Sequence, residues 1–159
     1  IEFAWDDTKY GDYSQNPVMD MIVPTLFNPS MAPEGKHTLS ANIMYIPYQK
    51  NDGWSEEDKN ELTERIIDTI SQYSPNIRDN ILHSELLTPL DLEKEFNLTG
   101  GHWHHGELAL DQMLMMRPTY EAAQYRTPID KLYLCSAGCH PGGGIMGAAG
   151  YNAAKEIIK

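Results

Sequence analysis

The stretch LYLCSAGCHPGGGIMGAAGYNAA, residues 132–154, decides how this chain is read. Residues 131–137 are apolar and rich in β-formers, which predicts a buried strand; CHPGGG then turns, and the alanine-rich 145–159 predicts a packed helix. A strand feeding a glycine-rich turn into a helix presents N–H groups at the positive end of the helix dipole, a setting that suits a phosphate or an electron-rich ring. Gly138, Gly142, Gly143, Gly144, Gly147 and Gly150 would let backbone approach a flat ligand. The spacing is neither GxGxxG nor the phosphate-loop pattern, which needs a lysine after its second glycine. The residues alone leave two readings open: an anion- or cofactor-binding turn, or a tight turn before a buried helix.

Working outward, HTLSANIMYIPY (37–48) alternates apolar and polar positions and predicts a strand that Pro47 ends. Ser55, three residues before Asp58, opens a helix over 55–73 with Leu62, Ile66, Ile67 and Ile70 at helical spacing; Pro75 stops it. Residues 80–87, with Ile81, Leu82, Leu86 and Leu87, predict a second strand. Thr88 and Pro89 suit the cap and first position of a short helix over 90–96. Residues 1–30, acidic and interrupted by Pro17, Pro24 and Pro29, read as an arm in which only 21–27 is extended. The fold class expected is α/β or α+β: a βαβ-like sheet from 37–46, 80–87 and part of the arm, covered by helix 55–73, with the terminal strand, turn and helix at one edge.

Composition is that of a globular domain, 41% hydrophobic and 22% charged in 159 residues. The net charge of −11 repels polyanions, so no nucleic-acid partner is expected. The acidic clusters read as solvated faces. Two cysteines, Cys135 and Cys139, do not make a disulfide framework, which points to a reducing compartment and a cytoplasmic protein. No run approaches the roughly 18 to 20 apolar residues that span a bilayer.

The segment TPIDKLYLCSAGCHPGGGIMGAAGYNAAKEI (127–157) resembles the C-terminal FAD motif of the phytoene-desaturase-like oxidoreductases, including the group called pyridine nucleotide-disulfide oxidoreductase domain protein 2. TPLDLEKEFNLTGGHWHHGELALDQM (88–113), MRP (116–118) and SMAPEGKHTLSANIMYIPY (30–48) share the likeness, which thus covers nearly the whole chain. The resemblance implies a substrate-domain portion with its N-terminal arm over 1–130 and a C-terminal FAD-binding strand, turn and helix over 131–159. It implies that Ala137 and Gly138 lie by the ribityl and pyrophosphate of FAD. It sets His140 and Pro141 near the isoalloxazine and the amides of Gly143, Gly144, Ile145 and Met146 near the flavin pyrimidine edge, with Cys139 and Gly142 also among the cofactor-binding residues. That edge gains negative charge on reduction, so a helix N-terminus there favours the reduced state. Relatives usually carry a small or hydroxyl residue where this chain has Cys139.

The reaction implied is flavin-mediated dehydrogenation of an apolar small-molecule substrate, by the complete enzyme. The GxGxxG unit that holds the pyrophosphate in such enzymes is not among these residues. The chain alone is therefore expected to be inactive and to bind FAD weakly or not at all. The N-terminal FAD-binding segment becomes its expected partner, and a homodimer through an exposed apolar face is a further expectation.

The rival reading is a metal site or interaction domain using GHWHHGE, with His102, His104, His105 and Glu107, to which Cys135, Cys139 and His140 could add. The loop lacks the i, i+4 histidines of HExxH, and Cys-x3-Cys has no second pair. Packed or cleft-lining histidines are the preferred reading, with no metal assigned. Adjacent pairs such as Cys139 with His140 rarely aim at one reacting atom. The run 113–116 reads as core methionines in preference to a lipophilic pocket. Arg117 reads as an exposed salt-bridge residue in preference to a phosphate contact.

Overall fold

The computed structural model describes residues 2–102, 109–113, 116–144 and 146–159. It is mixed α and β and divides into two compact units, Ile1–Leu92 and Glu93–Lys159.

The core of the first unit is an amphipathic helix packed against a two-stranded sheet. Strand β1 (Met19–Ile22) pairs antiparallel with β2 (Ser40–Ile43), Met19 opposite Ile43 and Ile22 opposite Ser40. Their connection makes two single 3-10 turns, each opened by a proline, Pro24 and Pro29. Helix α2 (Glu56–Ser71) begins where the Ser55/Asp58 pattern predicts. The Ser55 hydroxyl accepts from the Asp58 amide at 3.1 Å, and the Ser55 amide donates to Asp58 Oδ2 at 2.9 Å, a reciprocal capping box. The Ser55 hydroxyl, donating to Asp58 Oδ2 at 2.6 Å, and the Ser55 amide, with Lys50 adding its charge, hold the Asp58 carboxyl down at about 2. Leu62, Ile66 and Ile70, one turn apart, are buried with Tyr13, and Met19, Ile43, Ile46, Trp54, Ile77 and Leu86 pack around them.

Residues 1–30 are more than an arm. They include helix α1 (Glu2–Lys9), tied to the rest of the unit by Thr8 Oγ1 donating to the Tyr45 carbonyl at 2.6 Å, and they supply β1 and Tyr13 to the core. Tyr13 stacks on Trp54 with ring centres 5.5 Å apart and lies under the Arg65 guanidinium. Burial, with the charge of Glu61 beside it, pushes its phenol up to about 12.

The second strand expected over 80–87 does not form. Helix α3 (Ile77–Asn80) is a single turn, and Leu82 is 76% exposed in the irregular segment after it. The apolar residues at 81, 82, 86 and 87 lack the period of two that would bury one strand face. The strand expected over 37–48 shortens to the four residues of β2. The βαβ-like unit is thus replaced by a helix on a two-stranded antiparallel sheet.

Helix α4 (Pro89–Phe96) carries the boundary between the units. Buried Thr88 caps it: its hydroxyl donates to Asp91 Oδ2 at 2.7 Å and accepts from the Asp91 amide at 3.3 Å. Lys59 of α2 reaches the same carboxylate at 2.9 Å. Burial pushes the Asp91 carboxyl up, but the Thr88 bonds and Lys59 together bring it below its ordinary range. Asn97, at φ 56°, ends the helix in the left-handed conformation that asparagine tolerates better than most residues.

Candidate functional site in the glycine-rich turn

The second unit closes around small side chains. Helix α5 (Ala148–Ile157) presents Ala149 and Ala153, one turn apart, to buried Tyr125 and Cys139, with Leu134 beside them. The strand expected over 131–137 is reduced to one bridge, Arg126 with Tyr133. Instead, residues 125–134 fold back on themselves: the Leu134 amide donates to the Tyr125 carbonyl at 2.9 Å, and the Thr127 amide to the Leu132 carbonyl at 3.2 Å. Arg126 bonds Glu156 on α5 at 2.6 Å; Lys159, and then Arg126, hold that carboxyl below its ordinary range.

The turn itself follows. The Cys139 amide donates to the Ser136 carbonyl at 2.9 Å and the Gly142 amide to the Cys139 carbonyl at 2.7 Å. The His140–Pro141 peptide is cis, Gly142 and Gly144 have φ of 112° and 103°, and Gly147, at φ 64°, precedes α5. Only glycine adopts such backbone without strain. Gly147 brings no side chain to cap the helix, and no acidic residue lies in the first turn of α5. Among the described residues a methyl group at Gly142, Gly147 or Gly150 would meet nothing within 4 Å, one at Gly143 the Ala137 methyl at 3.5 Å, and one at Gly144 the Met146 Cε at 3.5 Å. Among the described residues the backbone at Gly142, Gly143 and Gly147 is therefore open.

Of the candidate site residues, Ala137, Gly138, Cys139, His140, Pro141, Gly142, Gly143, Gly144 and Met146 lie along this one turn, and Ile145 lies outside the described residues. Cys139, 2% exposed, packs into the core beneath the turn, and Met146 is exposed. Among the described residues His140 Nδ1 is a buried atom without a hydrogen-bond partner.

Three residues take places that their spacing does not reveal. Arg117 is only 4% exposed and its Nε donates to the Gly138 carbonyl at 3.2 Å, so it is buried beneath the turn rather than an exposed salt-bridge residue. The Tyr125 hydroxyl donates to the His140 carbonyl at 2.8 Å and accepts from Asn152 Nδ2 of α5 at 2.9 Å. Tyr125 also sits at φ 72°, a left-handed conformation that costs a non-glycine residue about 1–2 kcal/mol. No sequence signal marks the convergence of Arg117, Tyr125 and Asn152, because the bonds join groups 15 to 27 residues apart.

Elsewhere, Met113 and Met116 are exposed, against their expected place in a core. His104, His105 and Glu107 of the rival metal reading lie outside the described residues. The first unit carries an apolar hollow of about 280 Å³ among Pro17, Met19, Met21, Thr69, Ile70 and Tyr73, with no carboxylate, amine or imidazole in its lining. Among the described residues no helix is long and apolar enough to cross a membrane.

The chain is 41% identical over 158 residues to mouse pyridine nucleotide-disulfide oxidoreductase domain-containing protein 2, a match that takes in 98% of this chain and 27% of the mouse protein. The chain is homologous to these oxidoreductases. The lycopene-forming phytoene desaturase of Pantoea ananas is 31% identical over 130 residues (80% of this chain, 25% of that protein), and a limonene dehydrogenase polypeptide of Castellaniella defragrans is 29% identical over 140 (85% and 26%). The chain thus spans about a quarter of the length of the curated relatives it matches. The likeness read from the HPGGG segment and its upstream blocks holds. No family model and no solved structure matches the chain.

Proposed function

We propose that this chain is the C-terminal portion of a flavin-dependent oxidoreductase that dehydrogenates an apolar substrate, and that its glycine-rich turn holds one edge of FAD. The observation that carries the reading is the backbone left open among the described residues at Gly142, Gly143 and Gly147, ahead of a helix that has no side-chain cap of its own. Homology to dehydrogenases and desaturases supports the reaction class.

In this reading residues 1–130 belong to the substrate domain and 131–159 complete the cofactor domain. Ala137 and Gly138 lie along the ribityl and pyrophosphate, and Cys139 supports the turn from beneath. His140, Pro141 and Gly142 face the ring system, and Gly143, Gly144, Ile145 and Met146 offer amides to the pyrimidine edge. When bound, the flavin supplies the chemistry, accepting a hydride equivalent at N5. The chain's part is to orient the ring and to favour the charge that reduction leaves on it, through the positive end of α5. The pyrophosphate cradle comes from the N-terminal FAD-binding segment. Exposed Ile22, Leu26 and Phe27 give the first unit an apolar surface for self-association. The thiols of Cys135 and Cys139, both free, fit a cytoplasmic setting.

The test is a flavin titration, read by absorbance and fluorescence quenching, of this chain and of the same chain joined to its upstream reading frame. Binding only to the longer protein is expected. No binding by either defeats the proposal, and tight binding by the short chain defeats the claim that the cradle lies elsewhere.

A further inference from the structure

Tyr125 joins three facts that packing alone does not require. Its ring is buried against Cys139, Ala149 and Ala153; its backbone is held at a positive φ; and its hydroxyl uses both its donor and its acceptor capacity, between the His140 carbonyl in the turn and Asn152 on α5. A strained residue persists only where its surroundings over-determine it. Here the surroundings are the two elements that frame the glycine-rich turn. Gly142, two residues beyond His140, opens the run of positive-φ glycines, so the direction of the His140 carbonyl sets where that run begins.

From this geometry we infer that Tyr125 and Asn152 are a positioning pair, which fixes the backbone of residues 138–144 relative to α5 so that the turn meets the cofactor in one conformation. The cofactor half of this inference rests on the proposed flavin site; the clamp itself does not. Asn152 supplies direction as well as grip. Its amide donates to the tyrosine oxygen, leaving the single hydroxyl proton for the His140 carbonyl, and a chain of two bonds polarised in one sense is stronger than either bond alone. A carboxylate of the same shape at position 152 would compete for that proton instead.

Three forms of the protein test the pair: wild type, Tyr125→Phe, which keeps the ring and loses the hydroxyl, and Asn152→Asp, which keeps the shape and reverses the hydrogen bond. In this chain, hydrogen exchange of the amides of residues 138–144 is expected to quicken about fivefold to tenfold in both variants, while those of α2 keep their rates. Unchanged exchange in the turn overturns the clamp. In the longer flavoprotein, both variants are expected to bind FAD about tenfold more weakly and to shift the visible flavin spectrum, at nearly unchanged melting temperature. A lower melting temperature with affinity and spectrum unchanged assigns the pair to stability alone and overturns the positioning role. A wild-type protein that takes no flavin at all sinks the proposed function, and the pair's cofactor role with it, while the exchange rates still decide the clamp.

Discussion

The two units of this chain are held together by different physics. Residues 1–92 bury branched aliphatic and aromatic side chains, Leu62, Ile66, Ile70 and Tyr13, along one helix face. Residues 93–159 bury alanines, a cysteine and a tyrosine whose hydroxyl is bonded on both sides. The first gains its stability from apolar area removed from water and is tolerant of local detail. Among the described residues the second buries little such area, and bonds from Tyr125, Arg117 and Asn152 tie its turn to its helix. A cofactor site needs that second kind of construction: backbone amides can be aimed at a ligand only if no side chain fills the space and something else holds the loop still.

The largest effect that would break this contrast is in the first unit. Leu62→Ala removes a 1% exposed side chain from the centre of the helix face and should cost about 3 kcal/mol. That is a large share of the roughly 5–15 kcal/mol that typically holds a domain together. Denaturant unfolding followed by tryptophan fluorescence measures it, and a loss under about 1 kcal/mol would mean the core does not run along this face.

The mirror experiment in the second unit adds bulk. Ala153→Leu, at a 1% exposed position facing Tyr125 and Cys139, should overpack the site and cost about 2 kcal/mol. A neutral result would show that the small side chains are incidental.

Legibility in the sequence divided along the same line. Helix 55–73 and its Ser55 cap, the helix after Thr88 and the terminal alanine-rich helix were readable, because periodicity and capping chemistry are local. No strand forms over 80–87, because clustered apolar residues without a period of two give no buried strand face. The strand at 131–137 failed because its residues are used to close a tight fold at 125–134, which only the pairing partner reveals. The glycine-rich turn was readable from composition and from family resemblance. Its supports, Tyr125, Asn152 and Arg117, were not, since a bond across 15 to 27 residues leaves no spacing to recognise.

A smaller effect sharpens the contrast through pH. Tyr13 and Asp58 both lie in the first unit. The Tyr13 phenol is raised to about 12 in the fold, so its contribution is complete below the ordinary tyrosine value near 10 and is lost as pH rises through 12. The Asp58 carboxyl is lowered to about 2, so its contribution is present above the ordinary carboxylate range near 4 and disappears as pH falls toward 2. Unfolding midpoints measured across both windows should decline at each end. In Tyr13→Phe the alkaline decline should lessen, and in Asp58→Asn the acid one; declines that persist undiminished in those variants would place the titrating groups elsewhere.

The most direct test of the central claim, that the open turn exists to take a flavin, is the FAD dissociation constant of Gly143→Ala in the protein carrying its upstream segment. Among the described residues, a methyl group at position 143 would touch the Ala137 methyl at 3.5 Å and nothing else within 4 Å, so the fold should be indifferent to it. The account predicts an unchanged melting temperature without cofactor and FAD affinity weakened at least about tenfold. Wild-type affinity in this variant would contradict it, because the face left open by the glycines would then not be where the cofactor lies.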